Sequence, residues 1–97
     1  MKALVYILQC ANGQFYVGST NNLELRIHEH ISSESSLFRG AKFTKAHHPV
    51  TLVYTEEHPT ENEAHLRERQ LHKWSHMKKQ ALIDGDIELL KQLSKSK

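Results

Sequence analysis

The chain contains one cysteine, Cys10, among its 97 residues. A single thiol excludes an internal disulfide and any cysteine-rich zinc site, and it fits a reducing compartment. Glycine and proline are also scarce, at four and two, and nothing marks a linker, an internal repeat or a second domain. Long apolar runs are missing. The longest N-terminal one, residues 3–8, is too short for a signal-peptide core or a membrane span. The expectation is a cytoplasmic protein with no membrane role. A strong charge of either sign is lacking too. The net charge of +2 permits nucleic-acid binding without demanding it. What remains is ordinary: 38% apolar and 25% charged residues mark a globular domain with one modest core. Eight histidines are many for this length, so positive charge should climb as pH falls through about 6.5.

Residues Ala3–Cys10 are rich in the β-branched and aromatic types that strands prefer, and the run is apolar enough to be covered on both faces. Asn12-Gly13 signals a turn, and residues 15–18 read as the returning strand. Turn length decides which side chains share a face. A two-residue loop pairs Gln9 with Tyr16 and throws Tyr6 to the opposite side. A three-residue loop with Gly13 left-handed pairs Leu8 with Tyr16, and Tyr6 then joins Tyr16 on one face. The dipeptide leaves both open; a joint site needs the second. Asn21 or Asn22 can cap a helix to about residue 31, on which Arg26 and His30 are one turn apart. Residues 32–46 read as a loop with room for a short helical turn, and 51–55 as a third strand. Thr60 to Glu63 matches a capping box for a helix to about residue 74. On it Ala64, Leu71 and Ser75 mark the inner stripe, with Glu68 among them. Ser75 can cap a further helix to residue 83, and Asp84-Gly85-Asp86 stops that helix and starts another. Trp74 falls at helical spacing with Leu71 and reads as core. The expected fold class is α+β: a small three-stranded antiparallel sheet flanked by helices. Residues 1–84 make the domain, and 85–97 its C-terminal helix and frayed tail.

These residues resemble the GIY-YIG nuclease domain. Val5-Tyr6-Ile7 with Leu8 stands at its first motif and Tyr16-Val17-Gly18 at its second. Arg26 sits where the family places its arginine, His30 one turn later, and Glu68 where its metal-binding glutamate is expected. The likeness covers roughly residues 2–83. It is nearest to the small stand-alone bacterial members, which are similar to the N-terminal nuclease domain of the DNA-repair excinuclease. Those members carry a stretch like 42–54 here. The chain departs from the family pattern at four places. Leu4 replaces the first motif's glycine, Ser19 a lysine found in some repair nucleases, Gln80 an asparagine, and Lys45 an arginine.

The resemblance implies a metal-dependent DNA endonuclease that hydrolyses a phosphodiester. Glu68 is a hard oxygen ligand for Mg²⁺ or Mn²⁺, with water and substrate phosphate filling the shell. Arg26 can grip the scissile phosphate through two parallel hydrogen bonds. Tyr6 would take the proton of the attacking water if a nearby cation lowers its pKa, Tyr16 would orient that water, and His30 would assist. Arg39, Lys42 and Lys45, with Lys78 and Lys79, would hold single-stranded or structured duplex DNA by salt-sensitive, sequence-blind contacts. Sequence choice would then come from another protein or be absent. Blander readings exist for each residue. Strand tyrosines pack in small cores, Arg26 can pair with Glu24 or Glu29, and Glu68 can pair with Arg67, Arg69 or His72. Two rival functions follow: a nucleic-acid-binding module that has lost useful turnover, and a histidine-based metal protein. The second would use Glu68, His72 and His76, spaced by four, to hold Zn²⁺ or Ni²⁺.

Overall fold

A computed structural model describes residues 2–31 and 50–95. Two strands, β1 (Ala3–Cys10) and β2 (Phe15–Thr20), lead into helix α1 (Leu23–Ile31). Strand β3 (Val50–His58) follows, then helices α2 (Glu61–His72), α3 (His76–Asp84) and α4 (Ile87–Lys95). The sheet is antiparallel with order β2-β1-β3. The strand with the most continuous apolar run is therefore central, and it is buried on both faces as that composition requires. The α+β class and the three-stranded antiparallel sheet are as expected.

The hairpin uses the three-residue loop. Leu8 pairs with Tyr16, and Cys10 exchanges backbone bonds with Gln14 and Gly13. Gly13 has φ of 87°, a left-handed value that a side chain would strain. The Asn12 side chain accepts from the Gln14 amide at 3.0 Å and closes the turn. Alternation along β1 then separates two sets. Ala3, Val5 and Ile7 join Val17, Ala64 and Leu71 in the core beneath α2. Tyr6 and Leu8, on the opposite face, are equally buried.

Local capping explains the helices. Asn22 Oδ1 accepts from the Leu25 amide at 3.2 Å, so of the two asparagines it is Asn22 that starts α1. Thr60 caps α2 by accepting from the Glu63 amide, and Ser75 caps α3 by accepting from the Lys78 amide. Gly85, left-handed at φ 70°, ends α3, and Asp86 accepts from the Leu89 amide to open α4. Helix α2 stops at His72 rather than near residue 74, because the chain must leave the helix to present Ser75 as the next cap. The largest departure is β3, which runs three residues past the expected end. Glu56, Glu57 and His58 look unlike a strand, yet they pair with Val5, Leu4 and Ala3. As an edge strand, β3 tolerates charge that a central strand would not. Glu56 also gains partners: Tyr54 donates to it at 2.9 Å, His58 at 2.8 Å and Arg67 at 3.2 Å. Burial works to raise the Glu56 carboxyl, but the Tyr54 hydroxyl, Arg67 and His58 outweigh it and hold it below the usual carboxylate value. Trp74 packs against the core, with the Arg67 guanidinium 5.1 Å and the Lys78 ammonium 4.2 Å from its ring centre. Cys10 is a buried free thiol, as a small core residue should be.

Gly18 is the residue on which the two tyrosines' face depends. It is the cross-strand partner of Tyr6, whose phenol lies over the space a side chain would fill. A methyl group there would fall inside contact distance of the Tyr6 hydroxyl and 2.6 Å from Cζ. Gly18→Ala is expected to lower stability by about 1–3 kcal/mol. A urea melt should show a lower midpoint at unchanged slope; an unchanged midpoint would mean the Tyr6 ring is free to move aside.

Candidate active site

Each element contributes one group. Strand β1 supplies Tyr6, β2 supplies Tyr16, α1 supplies Arg26 and α2 supplies Glu68. The two phenol rings are neighbours on one sheet face, with centroids 6.4 Å apart and planes tilted by 37°. The Arg26 guanidinium donates to the Tyr6 hydroxyl. Arg26 is half-buried rather than solvated on an outer helix face. Glu68 approaches from the α2 side and meets the sheet at β2, an edge strand, where Ser19 Oγ donates to its Oε1 at 2.6 Å. Its side chain is only 19% exposed, so the place of Glu68 on the apolar stripe does turn it inward. It is also paired: His72 Nε2 donates to Oε2 at 3.1 Å, and His65 Nδ1 lies 3.7 Å from Oε1. The Glu68 and Arg26 charges are close enough to act on both phenols, in opposite directions. Tyr6, Tyr16 and Arg26 are thus neighbours, while Glu68, held by Ser19 on the α2 face, acts on both phenols from the other side of the sheet.

The electrostatics bear on what the phenols can do. Burial pushes the Tyr6 phenol well above its ordinary value, with Tyr16 and Glu68 adding to the rise and Arg26 opposing it. Tyr16 is pushed up to about 12, again first by burial, then by Glu68, against Arg26. Arg26 alone therefore does not turn Tyr6 into a ready proton acceptor, contrary to the expectation from its charge. A fully buried hydroxyl loses more from desolvating its anion than one guanidinium returns.

Beside this cluster lies a polar cavity of about 530 Å³. Ser19, Thr20, Asn21, Arg26, Asn62 and His65 contribute to its wall. The cavity shares Arg26 and Ser19 with the cluster but is not lined by the tyrosines or by Glu68. Sequence reading missed Ser19 as a partner of Glu68. The signal was a polar residue at a strand position alternating with the buried Val17, read only as the place of a missing lysine.

Other expected residues fall elsewhere. His30 lies in the last turn of α1, with its side chain outside the described ones, and Arg39, Lys42 and Lys45 lie outside the described residues, as does the loop over 32–46. Lys78 is laid over Trp74, and Lys79 is partly buried with its ammonium pKa lowered by desolvation, so neither forms an open basic patch. Gln80 donates to Asp84 at 3.0 Å. The Glu68, His72, His76 row does not exist. The helix ends at His72, and His76, on α3, stacks on Phe15 at 4.4 Å and donates to the Gly13 carbonyl at 3.0 Å. Among the described residues no group of three or more His, Cys, Asp or Glu side chains is arranged to hold a metal ion.

The family model for the GIY-YIG catalytic domain matches residues 2–81, and the chain belongs to that family. It is similar to small UPF0213 proteins. One from Limosilactobacillus reuteri is 37% identical over 93 residues, covering 93% of this chain and 92% of its own. Another, from Desulfotalea psychrophila, is 42% identical over 79 residues, covering 81% and 68%. Two solution structures share the fold. A UPF0213 protein from Bacillus halodurans has a TM-score of 0.54 at 33% identity over 87% of this chain and 84% of its own. A protein from E. faecalis has a TM-score of 0.60 at 28% identity over 88% and 85%. Membership makes this a nuclease-type domain in general and implies DNA as its substrate; nucleases of the family generally use divalent metals. Among the described residues no helix is long and apolar enough to cross a membrane.

Tyrosine ionisation tests the site's electrostatics. The chain has three tyrosines, and all are shifted upward; Tyr54 is pushed up to about 12 by burial and by Glu56. A raised acid pKa stabilises the fold below the unfolded value of about 10, and that stability is lost as pH climbs to about 12. Absorbance titration near 295 nm should show little tyrosinate at pH ~10.5 in the folded chain and ionisation of all three after denaturation. A tyrosine ionising below pH ~9 in the folded, metal-free chain would contradict this account.

Proposed function

We propose that the chain is a divalent-metal-dependent endonuclease that hydrolyses phosphodiester bonds in single-stranded or structured duplex DNA. The grouping of Tyr6, Tyr16 and Arg26, with the Glu68 charge near enough to act on both phenols, carries this reading. The donor set fits Mg²⁺ or Mn²⁺. Glu68 offers hard carboxylate oxygens at a partly enclosed position, and the Ser19 hydroxyl oxygen lies 2.6 Å from one of them. One protein carboxylate is a weak hold, so water and the phosphate complete the shell. When bound, the cation supplies neutralisation of charge on the phosphoryl oxygens and on the leaving oxygen.

The chain's own groups do the rest. Arg26 is held by its bond to Tyr6 and would offer its remaining guanidinium N–H groups to the scissile phosphate. Tyr6 and Tyr16 hold their protons at neutral pH in the metal-free chain, and as phenols they donate hydrogen bonds that orient the attacking water or a phosphate oxygen. His30 assists as a proton carrier or phosphate contact, and Arg39, Lys42 and Lys45 hold the DNA backbone without reading sequence. Targeting comes from another protein, and the work is cytoplasmic. The complete burial of Tyr6 favours a second reading, a DNA-binding domain of the same fold with feeble turnover.

Labelled single-stranded, duplex and branched DNA, incubated with Mg²⁺ or Mn²⁺, separates the two readings. Cleavage is expected with metal and not with chelator. Glu68→Ala should lower the rate about 100-fold or more, equivalent to roughly 3 kcal/mol, while DNA binding is largely kept. Binding without metal-dependent cleavage selects the second reading. Full cleavage by Glu68→Ala rejects the metal assignment.

A further inference from the structure

We infer that Ser19 is a positioning residue for Glu68, holding the carboxylate in the orientation in which it takes up the divalent cation; this rests on the reading of Glu68 as that cation's ligand. Ser19 Oγ donates to Glu68 Oε1 at 2.6 Å, the short, charge-assisted end of O–H···O distances. Its neighbours show how unusual the hydroxyl is. Ser19 pairs across the sheet with Val5, and Val17 precedes it by one alternation; both valines are buried in the core under α2. A third apolar side chain would continue that face. Instead the face ends in a hydroxyl, at the place where the Glu68 carboxylate comes down.

The two partners of the carboxylate differ in stiffness. His72 reaches Oε2 from one turn along the same helix, and its side chain is 49% exposed. Ser19 has one side-chain torsion and sits on a strand hydrogen-bonded to β1, so its oxygen is placed by the backbone. It is the short, rigid contact that selects among the rotamers of Glu68. A donated hydrogen bond uses one lone-pair site and leaves others on both oxygens for a cation. Ser19 also lines the 530 Å³ cavity together with Arg26, so the residue that holds the carboxylate faces a space wide enough for a hydrated ion.

The test is a titration of the full chain with Mn²⁺ alone, followed by water-proton relaxation, with urea melts run in parallel. Ser19→Ala is expected to weaken Mn²⁺ about 10-fold. Ser19→Thr, which keeps the hydroxyl on a residue suited to strands, should bind within about twofold of the unaltered chain. Glu68→Gln should lose binding. A general loss of structure would not spare the threonine variant, so that rescue separates positioning from folding. If Ser19→Ala binds Mn²⁺ undiminished while Glu68→Gln has lost it, the inference about Ser19 falls and the ligand reading stands. If the threonine variant is as weak as the alanine one, the hydroxyl is not the cause and the inference falls. If Glu68→Gln binds as the unaltered chain does, or the unaltered chain takes up no Mn²⁺, the ligand reading falls and the inference with it.

Discussion

The left-handed turn at Gly13 is the constraint on which the rest depends. It adds one residue to the hairpin loop and sets the pairing of β1 with β2. Because side chains alternate with period two, that single residue decides whether Tyr6 and Tyr16 share a face. It also places Gly18, with no side chain, opposite Tyr6, which lets the phenol lie across β2. A slip of one residue would put Tyr6 and Tyr16 on opposite faces and move Gly18 from beneath the phenol. The core under α2 and the cluster at the β2 edge are thus two consequences of one register.

Within the cluster, burial and charge oppose each other. Arg26 and Glu68 act on the phenols with opposite signs, and burial favours the neutral form of both rings. Tyr6 and Tyr16 therefore keep their protons at neutral pH. The Glu68 carboxylate is treated differently. It is mostly enclosed but met by a hydroxyl on one oxygen and an imidazole on the other. Its enclosure is tolerable because each oxygen has a partner, which is the condition for burying such a group. The family to which the chain belongs makes this a nuclease-type domain in general.

Much of the architecture could be read before any coordinates. The apolar run at β1, the Asn-Gly turn, the Thr60 and Ser75 caps and the Asp-Gly-Asp break each carry a local physical signal, and each element is found where that signal lies. The misreadings share a cause. The end of β3 was hidden because Glu56 and His58 owe their place to Arg67, Tyr54 and the pairing with β1, none of which is nearby in sequence except Tyr54. The row of Glu68, His72 and His76 assumed one continuous helix, but the Ser75 cap divides it and His76 turns to the hairpin loop. Lys78 was expected on the DNA-holding surface, and its ammonium lies over Trp74.

By itself, the sequence determined what depends on near neighbours along the chain: strand and helix identities, the caps, the candidate residues at their motif spacings and the inward stripe on which Glu68 sits. Two matters were beyond it. Turn length between equally permitted registers was settled only when both faces of β1 had to be buried at once. The partners of Glu68 and the protonation of the tyrosines were settled only by packing, since Ser19 lies 49 residues from Glu68 and burial is a property of the assembled domain. Alternation and capping act over a few residues, whereas desolvation and cross-element hydrogen bonds exist only once distant segments meet.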